Sequence, residues 1–378
     1  MKLLLALVIF LSNATAVFSF TEKGSSVSSH PQQDSISLVI EDYIHQAIIN
    51  SVDNPAEAVK NYRSALSANP TKNNLWEADV RTELGKLLLK LKNSEALPQL
   101  LKADALYKKH KSATGRAEVV TLVASIYEKA GRWVDAQKYY DVLIKIQYEL
   151  GEAVLAGNAA VHVADYYLKK KNYEMAFKYT DQAKTAYDRV CRKDSLASVY
   201  FRIATIKLKQ KSPNVASFYV TNKALPFYSA TDDLFGRMKS FDFLGNLYLD
   251  QKRFSEAKWF YIQANSLSRV LNDTVTTITS LINMGIVKMA IGDKALAKQD
   301  LAEADLLAKQ GNYNYLMKGV KAKYPSMFKS SSPKSSGISA SVPAAEFLNK
   351  GSITQVIFAQ FVSKAPQTSP EGLVIVQK

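Results

Sequence analysis

The chain has 378 residues, 47% hydrophobic and 22% charged, so it can bury a substantial core beneath a soluble surface. With only 15 Gly and 11 Pro it is not built mainly from turns, and long helices suit it better than many short strands. One cysteine, Cys191, excludes an internal disulfide and any metal site made of several thiolates, while a net charge of +15 draws anions to the surface.

The chain opens with "MKLLLALVIFLSNATAVFSF", one Lys followed by an apolar run from Leu3 to Leu11 and then small residues. That is the layout of a signal peptide over residues 1–20, with Ala14-Thr15-Ala16 or Ser19 as cleavage site, and the run is too short to span a bilayer. No Cys follows it, so no lipid anchor is expected there. Export without disulfides points to the periplasm or surface of a bacterium. It also argues against nucleic acid as the anionic partner. An anionic envelope component fits better, although the first expectation is that Lys simply solvates helix surfaces.

Residues 21–34 read as a polar, flexible leader. Asp34 or Ser35 is expected to cap a first helix carrying Ile36, Leu38, Val39, Ile40, Tyr43 and Ile44. From there the sequence repeats itself. Ala58, Ala96, Ala136, Ala176, Ala216, Ala257 and Ala297 stand at spacings of 38, 40, 40, 40, 41 and 40 residues. Twelve residues before the last five lies another small residue: Ala124, Ala164, Ala204, Gly245 or Gly285. Tyr127, Tyr167 and Tyr248 follow three of these by three residues. Seven after the key alanine comes Ala65, Ala103, Leu143, Ala183, Ala264 or Ala304. Polar breaks such as "KAGRWVD", "KKKNYE", "DQKRFSE" and "AIGDKA" separate helices.

Residues three, four and seven apart share a helix face. A small residue there lets a neighbouring backbone approach, and a large ring fills the remaining volume. Stacking one helix pair on the next then buries a continuous core. The small residue, the Tyr three later, the aromatic turn, the Ala and the small residue seven later resemble the tetratricopeptide repeat. "GNLYLDQKRFSEAKWFYIQA" matches it throughout, and "ASIYEKAGRWVDAQKYYDVL" nearly so, with Leu143 in place of the final Ala.

The resemblance covers Ile36 to Gly311, about seven pairs. The first, second, fifth and seventh are degenerate, with Lys207 and Lys288 where Tyr is expected. The implied fold is all-α, a right-handed superhelical solenoid of antiparallel helix pairs over residues 35–325. A period of 40 is long for the family and implies longer helices. Such repeats resemble the extracytoplasmic arrays of Bacteroidota regulatory proteins.

Beyond the array, residues 326–343 form a Ser-rich linker, and residues 344–378 a non-repeat tail that is strand-like or disordered. "ITQVIFAQFV" within it is too short for a membrane helix.

Catalysis has no visible carrier. Phosphate loops, HExxH and GxSxG are absent. His30, His45, His110 and His162 are far apart, without partners at ligand spacing, and are expected to be solvated or in the core. Asp232 and Asp233 are expected to cap a helix, Cys191 to be an inert helix residue, and Trp76, Trp133 and Trp259 to serve packing. No cofactor and no metal are expected.

Binding is the remaining role. In tetratricopeptide proteins the first helices of the pairs line a groove that takes peptides or partner helices. Its lining is expected three before, one after and four after each small residue. These positions are Thr121, Ser125 and Glu128; Val161, Asp165 and Leu168; Phe201, Thr205 and Leu208; Asp242, Asn246 and Leu249; and Ile282, Ile286 and Met289. They grow more apolar toward the C-terminus, which suits an amphipathic segment or the protein's own tail. The expected function is an exported scaffold that binds another protein. Alternatives are a regulatory subunit of an envelope signalling system and a binder of anionic glycan.

Overall fold

The computed structural model describes residues 31–69 and 74–328. The expected signal sequence, most of the leader, the linker and the tail lie outside them. Among the described residues every regular element is a helix, and the chain divides into two compact units, Met1–Gly115 and Arg116–Lys378.

The first unit holds α1 (Pro31–Asp53), α2 (Pro55–Ala68), α3 (Leu75–Lys90) and α4 (Ala96–Lys109). α1 begins ahead of the expected Asp34 or Ser35 cap. Asn54 and Asn74 cap α2 and α3 by accepting from the backbone N–H of Glu57 and Glu77. The core joins Ala47, Ala58, Tyr62, Leu84, Leu88 and Ala96.

The second unit takes in most of α5 (Ala113–Lys129), then α6 (Trp133–Glu149), α7 (Ala153–Lys169), α8 (Tyr173–Arg189) and α9 (Lys193–Lys209). An interrupted helix follows, made of α10 (Pro213–Tyr219), a π turn (Val220–Ala224) and α11 (Leu225–Ala230). Then come α12 (Leu234–Asp250), α13 (Phe254–Val270), α14 (Thr274–Ala290), α15 (Lys294–Gln310) and the short α16 (Asn314–Lys323). Adjacent helices pack as antiparallel pairs.

The uninterrupted helices from α5 to α15 are 17 residues long, about 25 Å. The turns that join successive helices from α3 to α16 are short and alike. Each carries one left-handed residue: Lys92, Lys111, Gly131, Gly151, Lys171, Cys191, Lys211, Asp232, Lys252, Asn272, Gly292 or Asn312. The next residue's N–H reaches back to a carbonyl in the finished helix, as from Asn172 to Tyr167 and from Arg253 to Tyr248, both 2.9 Å. That is a Schellman closure. Helix and turn together fix the long period. Cys191 therefore lies in a turn, exposed at φ 51°, and not within a helix as expected. Asp233 does cap α12, accepting from Gly236 N–H at 2.8 Å.

The single 41-residue spacing, from Ala216 to Ala257, has a local cause. The π turn at Val220–Ala224 absorbs one extra residue just ahead of Leu225-Pro226, and the proline ring cannot fit an unbroken α-helix. All seven repeating alanines from Ala58 to Ala297 are buried. At the end of the unit, Met317 and Val320 of α16 close the core over Leu301, Ala304 and Ala308.

Candidate partner groove

Within the second unit, side chains link the first helices of successive pairs. Glu128 on α5 accepts from the Tyr140 hydroxyl at 2.7 Å and lies 2.9 Å from His162 Nε2 on α7. His162 thus has a partner 34 residues away, which sequence spacing alone does not reveal. Burial pushes the Glu128 carboxyl up, but the bonds from Tyr140 and His162 and the charges of His162 and Lys169 outweigh it, leaving its pKa lowered. Asp165 on α7 accepts from Arg202 on α9. Phe201 on α9 meets Phe243 on α12 edge to face, with centroids 5.4 Å apart. Asn246 on α12 accepts from Tyr261 at 3.0 Å and from Asn283 on α14 at 3.5 Å.

Of these side chains, Phe201, Phe243 and Asn246 border a cleft of about 260 Å³ between α9, α12 and α14. Phe201, Leu208, Met238 and Phe243 form its apolar walls, and Lys239, Asp242, Asn246, Thr276 and Thr279 its polar part. Asn246 donates to Asp242 twice, to the carboxylate at 3.0 Å and to the backbone oxygen at 2.8 Å. Burial nonetheless raises the Asp242 carboxyl above its usual pKa, with the Asn246 bond opposing it. Lys239 Nζ lies over the Phe235 ring instead, 4.2 Å from its centroid.

The cleft gathers four of the expected lining residues, Phe201, Leu208, Asp242 and Asn246. Thr121 is exposed, while Ser125, Val161, Leu168, Thr205 and Met289 are half-buried along the same helices. Glu128 and Asp165 are engaged in the links above. Leu249 and Ile286 pack on the last core cluster, and Ile282 is buried inside it. Met238, Lys239, Phe243, Thr276 and Thr279 were not expected. Met238 lies one helical turn before Asp242, and Thr279 and Thr276 lie one and two turns before Ile282. Extending the same helix face would have found these three.

A second depression, of about 590 Å³, lies on the second helices of pairs, between α6 and α8, lined by residues including Asp141, Tyr148, Lys178 and Gln182. Among the described residues no cluster of His, Cys, Asp and Glu could hold a metal ion, and no helix is long and apolar enough to cross a membrane.

Antiparallel pairs, a shared turn and first helices joined side by side define an α-helical repeat array. No protein-family model matches the chain, and no curated protein matches it. Among solved structures, it is similar to a signal-transduction ATPase with numerous domains and a tetratricopeptide repeat sensor, from Pyrococcus horikoshii. Identity is 18% and the TM-score 0.52, over 78% of this chain and 46% of that one, so the chain spans just under half of that protein's length. BtubC from P. vanneervenii aligns at 17% identity and TM-score 0.47, over 71% of this chain and 97% of that one. A tetratricopeptide repeat protein from Parabacteroides merdae aligns at 17% and 0.39, over 74% and 98%. The fold of this chain is the tetratricopeptide-repeat fold.

Proposed function

We propose that the protein is a non-catalytic scaffold that holds a segment of another protein in the cleft between α9, α12 and α14. The observation that carries this reading is the cleft's composition. Phe201, Leu208, Met238 and Phe243 offer apolar walls, and Asp242, Asn246, Thr276 and Thr279 offer hydrogen-bonding groups beside them. That mixture suits an amphipathic segment anchored by apolar side chains and oriented by a few polar contacts. Export to a bacterial envelope belongs to the same proposal and rests on the apolar run from Leu3 to Leu11.

The test compares wild type with Thr276→Arg/Thr279→Arg, which fills the cleft from the α14 side and leaves the bond between Asn246 and buried Tyr261 in place. Both are used to capture partners from envelope extract at low and high salt. A protein held by wild type at high salt and lost by the variant supports the reading. Equal capture by both proteins refutes it.

A further inference from the structure

The first and last described helices carry complementary surfaces. α1 buries Ile40 and Ala47, yet it exposes Leu38 at 66%, Val39 at 49%, Ile48 at 53%, Ile49 at 54% and Val52 at 78%. At about 100° per residue, Leu38, Ile48, Ile49 and Val52 fall on the side away from Ile40 and Ala47, with exposed Glu41, Asp42 and His45 among them. α1 has no Lys or Arg, in a chain that has 49 of them. It is an aliphatic ridge set with carboxylates.

α16 is the opposite. Tyr315, Lys318, Gly319 and Ala322 are exposed at helical spacings of three, four and seven, so they share one face. A Cβ on Gly319 would meet nothing within 4 Å, whereas Gly245 and Gly285 are filled by Tyr261 and Leu301. Lys318 and Lys323 flank the small residues. This is a shallow groove with a basic border.

A repeat at the end of an array keeps a face that a further repeat would bury, and soluble arrays usually make that face polar. α1 does not. We propose that a second copy of this chain covers it, the α1 ridge of one copy seating in the α16 groove of the next, head to tail. Asp42 then faces the basic border formed by Lys318 and Lys323. Pairing α1 with another α1 would instead bring like carboxylates together. A head-to-tail contact uses two different surfaces, so each copy keeps one of each free to continue the assembly.

Sedimentation velocity on the full chain over a range of concentrations tests this, with circular dichroism melts as the folding control. Wild type should form oligomers that grow with concentration and weaken as salt rises. Ile49→Lys/Val52→Lys, which spoils the ridge, should need at least tenfold more protein to associate. Lys318→Glu/Ala322→Glu, which spoils the groove, should behave alike. Mixed in equal amounts, the two variants should form a dimer that grows no further, because one intact ridge meets one intact groove. A monomeric wild type overturns the proposal, as when residues 1–30 or 329–378 cover a face within one chain. So does association that survives in either variant alone, or a mixture that stays monomeric.

Discussion

Gly245 on α12 and Tyr261 on α13 face each other so closely that a Cβ on the glycine would lie 2.6 Å from the ring. Two opposing effects meet there. An alanine in a helix interior is ordinarily more stable than a glycine by about 0.5–1 kcal/mol. Overfilling a packed core costs about 1–3 kcal/mol. Tyr261 is fully buried and its hydroxyl is tied to Asn246, so the ring cannot swing clear cheaply. Gly245→Ala should therefore destabilise the fold by about 1–2 kcal/mol in urea unfolding. A stabilised variant would show that packing does not require the glycine.

The left-handed turn residues give the opposite sign. Lys171 and Cys191 occupy φ 59° and 51°, where a side chain costs about 1 kcal/mol relative to glycine. Lys171→Gly and Cys191→Gly should each leave the chain as stable or up to about 1 kcal/mol more stable, since glycine's gain in unfolded-state entropy offsets part of the relief. Gly131→Ala should lose about 1 kcal/mol at the equivalent place. Melting temperatures of the three variants decide the matter. Equal losses in all three would mean that the turns are held by side-chain contacts and not by their backbone conformation.

The repeat was legible because its residues recur. Ala136, Ala176 and Ala216 lie 40 positions apart, and each is buried where a neighbouring helix comes close. The groove was legible in part for the same reason, since Phe201, Asp242 and Asn246 follow from their offset to a small residue. What stayed hidden depends on two repeats meeting. The pairing of His162 with Glu128, and of Arg202 with Asp165, spans 34 and 37 residues and no local pattern marks it. Cys191 was misread because Lys, Cys and Asp can all fill a left-handed position that glycine would have announced.

Lys288, which stands where the repeat pattern calls for Tyr, has an ionic partner instead. Its Nζ lies 2.7 Å from Asp300 Oδ2 on α15, and both side chains are more than four-fifths buried. Burial pushes the Asp300 carboxyl up more than Lys288 pulls it down. Removing one member of such a pair strands the other charge. Asp300→Ala should cost about 3 kcal/mol, whereas Lys288→Tyr/Asp300→Leu should come within about 1 kcal/mol of wild type or exceed it. Denaturant midpoints of both variants test this. If the double replacement is as damaging as the single one, the ion pair itself stabilises the seventh pair.

Asp242 links stability to the proposed groove. Its pKa is raised by burial, so the folded state favours the protonated carboxyl. That contribution is full below the unfolded pKa, about 3.9, and is lost as pH rises through the higher folded value. At neutral pH the ionised group therefore opposes folding. Asp242→Asn should make the protein more stable than wild type at pH 7, and the gap should narrow steadily toward pH 4. Urea unfolding at several pH values measures both. A constant gap would mean that the carboxylate is well solvated in the cleft and that its ionisation is not coupled to folding. The same variant informs the binding reading, because a residue that weakens the fold needs another reason to be there. Asp242→Asn should stabilise the chain and at the same time weaken capture of the partner held at high salt.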